Sequence, residues 1–425
     1  MRDIDFANAT FKDFENPAGL SAYERAAYFG DYLDYLEKHG RLNYRLMGFS
    51  GSGPTVEMDI PGLGGKKPYV CLVSNDYMNF SQHPLVKKAA IDGIRKWGTG
   101  SGASPAIGGH YEYHQELEDK IARFFHRDAA MLYTTGYTAN SATMLCLLQE
   151  NDLAIVDMAV HASMHEGIGP KNSVSFLHNS TEHLEKRLKE AYGKFRTIFV
   201  VVDGVYSQDG DIARLDQIAS LAHAYGAYLV MDDAHGTGVI GENGRGVAEL
   251  FNLFDQVDIM TGTLSKTFGH LGGYVVASKE LIRFLKYQSR QHLFSVTASP
   301  AVMAASKAID LIDEEPDMRE ALWENIRYFK SGLISMGLEV GTTESAIIPV
   351  KVRDLGKTHQ INSMLLHAGI YATPSMYPAV SKKDSRIRMS LMATHTKYHL
   401  DKVLNAFDYI RGKVKIGSAA ALSEE

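Results

Sequence analysis

An α/β fold, with a mostly parallel, doubly wound sheet in a large domain and a smaller α/β domain after it, is predicted for this chain. Three observations carry that prediction. Thr197–Asp203 reads TIFVVVD, an uninterrupted apolar strand of the kind buried on both faces. Similar short apolar runs alternate with helical periodicity along the middle of the chain, the pattern of repeated βα units. After about Pro300 the alternation gives way to a long helical stretch and short strands. The expected division is 1–68 as an N-terminal helix and linker, 69–300 as the large domain, and 301–425 as the small C-terminal domain.

In order along the chain, Ser21–His39 reads as an amphipathic helix. Ser21 to Glu24 (SAYE) forms a capping box, and Gly40 provides the C-terminal stop. Tyr23, Ala27, Phe29 and Leu33 of this helix are expected in core packing, with an acyl-channel lid and a dimer contact as the functional alternatives. Gly48–Pro54 and Gly62–Pro68 are loop-rich and are expected to link the helix to the main body. Pro84 opens a second helix that runs to Trp97.

Strands are then expected at Ala130–Thr134, Leu153–Asp157, Ile198–Asp203, Tyr228–Asp232, Asp258–Thr261 and Gly273–Ala277. Helices are expected at His114–Phe125, Thr181–Ala191 and Leu215–Tyr225. In the C-terminal part the short strands fall near Ile347–Val352, Ile370–Thr373 and Arg386–Leu391.

Composition narrows the function classes. The chain is 45% hydrophobic and 22% charged, with a net charge of −6 and basic residues spread rather than clustered. Neither nucleic acid nor an anionic membrane surface is an expected partner. No stretch approaches the roughly 20 apolar residues of a bilayer-spanning helix, and the first residues lack the apolar core of a signal peptide. Cys71 and Cys146, the two cysteines, are expected as reduced core residues of a cytoplasmic protein.

Chemistry concentrates around Lys266, within Thr261–Gly273 (TGTLSKTFGHLGG) and at the end of an apolar stretch. A lysine that attacks a carbonyl must be neutral, and a desolvated pocket lowers its pKa to that end. Asp232, at the end of a predicted strand, can hold a pyridine nitrogen protonated, which points to pyridoxal 5'-phosphate. Asp233 is read as a cap or surface acid. For the phosphate, Thr134–Thr138 (TTGYT) follows a strand and opens a helix, so the backbone N–H groups of Gly136 and Tyr137 make an anion site. Thr263 and Ser265 would add hydroxyl donors.

Two other readings fail. Gly98–Gly109 is glycine-rich, but it follows a helix, holds no GxGxxG and is interrupted by Pro105, which argues against a nicotinamide site. His161 and His165 have i, i+4 spacing but no intervening HExxH glutamate and no nearby cysteine, which argues against zinc.

Taken together, Asp232–His235 (DDAH), Gly262–Lys266 (GTLSK) and Leu271–Gly273 (LGG) resemble the α-oxoamine synthases, pyridoxal-phosphate enzymes of fold type I. The resemblance runs from about Tyr69 to about Phe407. Within the family, Thr343–Pro349 (TESAIIP) and Ile387–Thr396 (IRMSLMATHT) are most similar to the bacterial serine palmitoyltransferases.

The resemblance implies roles for further residues. Lys266, His161, Asp232 and His235 would form the catalytic set, with His161 stacked on the cofactor ring and His235 bonded to its phenolic oxygen. Ser207 would lie beside the same oxygen or the Schiff base. Phe294–Pro300 (FSVTASP) would bring Thr297 or Ser299 to the phosphate of a neighbouring subunit, giving a homodimer with shared active sites. Arg388 would grip the amino acid carboxylate, with Arg386 as the alternative two residues away, and Asn75 and Tyr77 would lie near the substrate.

The implied reaction joins an amino acid to a long-chain acyl-coenzyme A or acyl carrier protein thioester with loss of carbon dioxide. Serine, giving a 3-keto sphingoid-type base for sphingolipid-like lipids, leads; cysteate, for sulfonolipids, is next, followed by glycine or alanine. Pro105 stands where the similar serine enzymes carry an arginine, which keeps cysteate open. Peripheral association with the inner membrane is a further alternative. A non-catalytic partner subunit would lack the lysine that is present here, and transamination on the same fold would consume no thioester.

Overall fold

The computed structural model describes residues 4–169 and 173–416; the first three and last nine residues of the expected outer segments lie outside that range. Thirteen strands are described: β1 (Thr55–Met58), β2 (Lys67–Cys71), β3 (Ala129–Tyr133), β4 (Asp152–Asp157), β5 (Ser173–Phe176), β6 (Thr197–Asp203), β7 (Tyr228–Asp232), β8 (Ile259–Thr263), β9 (Gly273–Ala277), β10 (Ile347–Lys351), β11 (Ile370–Tyr371), β12 (Thr373–Ser375) and β13 (Arg386–Ser390). Seven of them form the central sheet in the order β3-β9-β8-β7-β6-β4-β5. From β8 to β5 neighbours are parallel, and β9 runs antiparallel to both β8 and β3.

Burial on both faces of this sheet follows from the apolar runs. In β6, Ile198, Val200 and Val202 enter one core, whereas Phe199 and Val201 enter the core on the other face. Helices at Thr181–Ala191 and Leu215–Ala224 place Leu184, Leu188, Ile218 and Ala222 in the first core. The helix at Gly136–Leu147 supplies Ala139, Ala142 and Met144 to the second. The chain is thus an α/β protein with a mostly parallel sheet covered on both sides.

One local expectation is corrected, and one strand was missed. The stretch Gly62–Pro68, read as loop, ends inside β2, which pairs antiparallel with β1 and parallel with β11. Residues near both ends of the chain therefore meet in one three-stranded sheet. Edge strand β5, with Ser173 and Ser175 exposed, has no counterpart in the sequence reading. A third sheet, β10-β13-β12, is antiparallel and carries Arg386, Arg388 and Ser390. Among the described residues no helix is long and apolar enough to cross a membrane.

Candidate active site

Open α/β sheets present ligands at the carboxyl ends of their strands. Here Asp203, Asp232 and Thr263 end the parallel strands β6, β7 and β8, while His161 follows β4 and Gly136 follows β3. Lys266 lies three residues past β8 and His235 three past β7. These loops enclose two adjoining cavities that share His161, His235 and Lys266 in their walls.

The smaller cavity, about 240 Å³, is also lined by Thr135, Gly136, Tyr137, Asp232, Thr263 and Ser265. One end is the N-terminus of the helix at Gly136–Leu147, where Thr135 caps by accepting from the Thr138 N–H. A Cβ on Gly136 would lie 2.7 Å from the Thr263 Cβ, so only glycine lets the helix start this close to β8. The Thr263 hydroxyl donates to the Gly272 carbonyl at 3.0 Å and lies 2.6 Å from the Ser265 hydroxyl. That end is built for an anion.

In the middle of this cavity Asp232 is buried, accepting from Asn140 Nδ2 at 2.6 Å and the Ala234 N–H at 3.0 Å. Asn140 is also bonded to Ser163, and its own Oδ1 is buried without a partner. Asn140 was not singled out in the sequence. Its place one helical turn after Gly136, on the same face, is the signal that could have found it. Asp203, behind, accepts from the His161 N–H, and burial together with the Asp232 charge pushes its carboxyl well up. Asp233, expected as a cap or surface acid, is buried; its carboxylate accepts the Val247 N–H and so caps a helical turn, while burial pushes its pKa well up.

Lys266 stands where the cavities meet. Burial holds its pKa down at about 8, against the raising effect of Asp232 and with a further lowering by the Arg388 charge. His161 caps the helix at Ala162–Ile168 and bonds Ser163 Oγ through Nδ1 at 2.7 Å, which leaves its ring open to both cavities. His235 is buried, and burial with the Lys266 and Arg388 charges holds it neutral. Its Nδ1 lies 2.6 Å from the Tyr77 hydroxyl. A Tyr77 O–H donating to Nδ1 fixes the proton on Nε2. The structure therefore places Tyr77, expected beside the substrate, behind His235 and outside the lining of either cavity.

The larger cavity, about 700 Å³, has Asn75, Ser207 and Arg388 in its lining with Lys266. Arg388 is buried; its Nε donates to the Ser207 carbonyl at 2.6 Å, Nη1 to Ser390 Oγ at 3.0 Å and Nη2 to Asn75 Oδ1 at 3.2 Å. None of these acceptors is a carboxylate. Arg386, on the same face of β13, is instead tied to Asp209 at 2.6 Å, to Asp384 and to the Gln208 carbonyl. A buried guanidinium without an anion beside it is a site for one, and that distinguishes Arg388 from Arg386.

Ser207 is brought to this larger cavity and not to the smaller one. Thr297 and Ser299 line neither cavity of their own chain; Thr297 Oγ1 is bonded to His114 Nε2 at 3.0 Å. The loop around Pro105 forms a short turn, with Ile107 80% exposed, and lines neither cavity.

The dimensions and donors of the smaller cavity fit pyridoxal 5'-phosphate: an anion site at one end, a buried carboxylate for a ring cation, an open histidine face and a lysine of lowered pKa.

Comparison with known proteins agrees. Residues 67–407 match the aminotransferase class I and II family. The chain is 38% identical over 400 residues to an 8-amino-7-oxononanoate synthase of Thermoanaerobacter pseudethanolicus, covering 93% of this chain and 100% of that protein. In structure it is similar to a serine palmitoyltransferase from S. paucimobilis solved with a bound PLP–myriocin aldimine, at TM-score 0.87 and 30% identity, over 92% of this chain and 99% of the other. The Sphingomonas wittichii serine palmitoyltransferase gives TM-score 0.85 at 31% identity, over 91% and 96% of the two chains.

Proposed function

From the chain's membership of the α-oxoamine synthases, pyridoxal-phosphate-dependent acyltransferases within the aminotransferase class I and II family, we propose a decarboxylative condensation of L-serine with a long-chain acyl thioester, giving a 3-keto sphingoid-type base. One observation carries this reading: a cofactor-sized cavity and a larger, partly apolar one share Lys266, and the larger holds the unpaired Arg388. Bound pyridoxal phosphate supplies an electron sink for the charge left when a Cα proton is removed.

The chain's own residues account for the remaining work. Arg388 binds the amino acid carboxylate as a planar, bidentate donor, with Asn75 and Ser390 holding the guanidinium in place. Lys266, with a pKa near 8, accepts the Cα proton at its Nζ close to neutrality. The Asp232 carboxylate, oriented by Asn140, keeps the ring-nitrogen proton in place. His161 closes one face against solvent, while Tyr77 orients His235 as a donor.

Support for a long, apolar acyl group comes from the cavity lining. Among the described residues that line it, Lys266 and Arg388 are the only lysine or arginine side chains, and both stand at the catalytic end. A second carboxylate on the acyl chain would meet no further lysine or arginine in this lining. A cysteate sulfonate would likewise need a further cation, which places cysteate behind serine. Alanine is the second reading, favoured by 38% identity to a protein named 8-amino-7-oxononanoate synthase.

The reading includes a homodimer. Thr297 and Ser299, which reach neither cavity of their own chain, would serve the partner's phosphate site. In a single chain Leu271, at the cofactor cavity, is 64% exposed and Phe294, beside Thr297, 83% exposed, as expected of surfaces a second copy covers.

The test is thiol release from palmitoyl-coenzyme A with serine, cysteate, glycine and alanine supplied separately. Release with serine alone is the expected result. Release with alanine alone transfers the assignment to the second reading. An amino-acid-dependent change in cofactor absorbance without thiol release from coenzyme A directs the search to acyl carrier protein donors, and no response to any amino acid overturns the proposal.

A further inference from the structure

The N-terminal residues fold around a small core of their own. Ala9, Phe14, Tyr32 and Leu36 are buried together, with Phe6, Phe11, Tyr28 and Phe29 packed around them. Phe14 and Tyr32 stack at 4.6 Å with an interplanar angle of 15°. This cluster is separate from the core that runs through the sheet and the C-terminal helices. Asn43, whose Nδ2 donates to Asn362 Oδ1 at 2.7 Å, ties the segment to the body.

The buried face of the helix at Ala22–Lys38 is Tyr32 and Leu36, flanked by Tyr28, Phe29 and Tyr35, and Tyr23 points to solvent at 90% exposure. That face does not meet the main core. It lies over the larger cavity: Ala9, Phe11, Tyr32, Leu36 and Tyr44 form the wall of the 700 Å³ space that has Lys266 and Arg388 at its other end. The polar atom of Tyr32 is spent inside the segment, its hydroxyl donating to the Ala9 carbonyl at 2.6 Å, and burial pushes its pKa to about 12. Leu355, Met376 and Pro378 also line the cavity. The space therefore joins Lys266 and Arg388 to aliphatic and aromatic side chains of the N-terminal segment, with Thr10, His359, Thr373 and Ser375 as further polar lining, a combination suited to an alkyl chain with one reactive polar end.

We propose that the N-terminal segment is the wall of the acyl-chain site, and that Ala9, Phe11 and Leu36 set the length of alkyl chain the enzyme accepts. The proposal rests on the condensation reading above and adds to it the place of the acyl group. Because the wall belongs to a satellite core, its size can change without disturbing the packing that holds Lys266, Asp232 and Arg388.

The experiment uses the full-length holoenzyme and two variants, Ala9→Phe, which fills the cavity, and Phe11→Ala, which enlarges it. Thiol release is measured with acetyl-, octanoyl- and palmitoyl-coenzyme A and the amino acid that the wild type uses. Binding of the non-reactive thioether S-hexadecyl-coenzyme A is measured by titration calorimetry.

For Ala9→Phe the palmitoyl-to-acetyl ratio of kcat/KM is expected to fall about tenfold or more, corresponding to a few methylene groups no longer buried. Binding of the thioether should weaken by a similar factor. Phe11→Ala is expected to move the preference toward longer chains, and it decides the matter if Ala9→Phe does not fold. A chain-length profile unchanged in both variants, or scaled equally at every length, overturns the proposal while leaving the condensation intact. If the wild type releases no thiol with any amino acid, the condensation reading fails. The thioether titration then still separates the two, because binding weakened by Ala9→Phe upholds the alkyl site and no binding to the wild type overturns it.

Discussion

The Nε of Arg388 donates to the carbonyl oxygen of Ser207 at 2.6 Å, joining strand β13 of the C-terminal region to the loop that leaves β6 of the central sheet. That single bond crosses 181 positions of sequence, and it sets the guanidinium beside Lys266 instead of in solvent. Arg386, two residues away on the same strand, reinforces the same loop through Asp209 and the Gln208 carbonyl. One strand therefore supplies two buried arginines with different duties, one that holds the loop and one left free for an anion.

The two arginines should separate on substitution. For Arg388→Ala the lost charge-assisted hydrogen bonds are worth roughly 1.5–3 kcal/mol, so the KM for the amino acid should rise about tenfold to a hundredfold. Arg388→Lys should recover only part of this, because a point charge does not replace a planar fork. Arg386→Ala should instead lower stability by roughly 1.5–3 kcal/mol, the worth of its charge-assisted hydrogen bonds, because Asp209 and Asp384 are about 30% exposed and keep Lys351 as a partner. Denaturant unfolding and amino acid KM values for the variants check both expectations.

Asn140 and Asp232 make the second pair. Removing the 2.6 Å donor by Asn140→Ala should weaken cofactor retention by about tenfold, one hydrogen bond to a charged acceptor. Asp232→Ala should weaken it further and abolish exchange of the amino acid Cα proton with solvent, since no anion then faces the ring nitrogen. Equilibrium dialysis of pyridoxal phosphate and proton exchange followed by NMR give the two readouts.

The sequence made the central sheet legible because runs such as Thr197–Asp203 are apolar without interruption, which only a doubly covered strand requires. Lys266 and Asp232 were legible as a lysine and an acid at the ends of such strands, whereas the roles of His235 and His161 came from the resemblance to the α-oxoamine synthases. What escaped has physical reasons. Pro68 reads as a loop residue, yet in β2 it is paired across from Glu57 near the start of the strand. Ser173–Phe176 is too short and too polar to stand out, because it is an edge. Asn140 looks like an ordinary helix residue until the sheet brings Asp232 to it. On the N-terminal helix, aromatic residues fall on several faces, so periodicity alone did not select Tyr32 and Leu36 over Tyr23 and Ala27.

Lys266 sets a pH dependence. With its pKa near 8, the neutral amine is the minority form at pH 7 and the majority at pH 9. The rate at which apoprotein takes up pyridoxal phosphate covalently should rise about tenfold per pH unit below 8 and level off above it. The same rate in Arg388→Ala should shift to higher pH, because the Arg388 charge helps to lower the lysine pKa. Stopped-flow absorbance between pH 6 and 10 measures it, and a rate that keeps rising up to pH 10, as for an ordinary lysine with a pKa of about 10.4, would contradict it.

His178 supplies a stability signal distinct from the active site. Its Nδ1 lies 3.0 Å from Asp157 Oδ1 and its Nε2 lies 2.9 Å from Asp211 Oδ2, and these carboxylates push its pKa up to about 10 although burial opposes them. The folded state therefore holds the proton more tightly than the unfolded chain, whose histidine titrates near 6.5. The resulting stabilisation is complete below about pH 6.5 and is lost as the pH rises toward about 10. The loop from Asp203 to Asp211, which carries Ser207, should loosen over the same interval because Asp211 is one of its anchors. In His178→Gln the contribution of this residue to the pH dependence disappears. Urea unfolding of both proteins at pH 6, 8 and 9.5 should show the wild type losing its advantage over His178→Gln with rising pH. A difference in stability that stays constant across the three values would mean that the His178 proton is not what holds the loop.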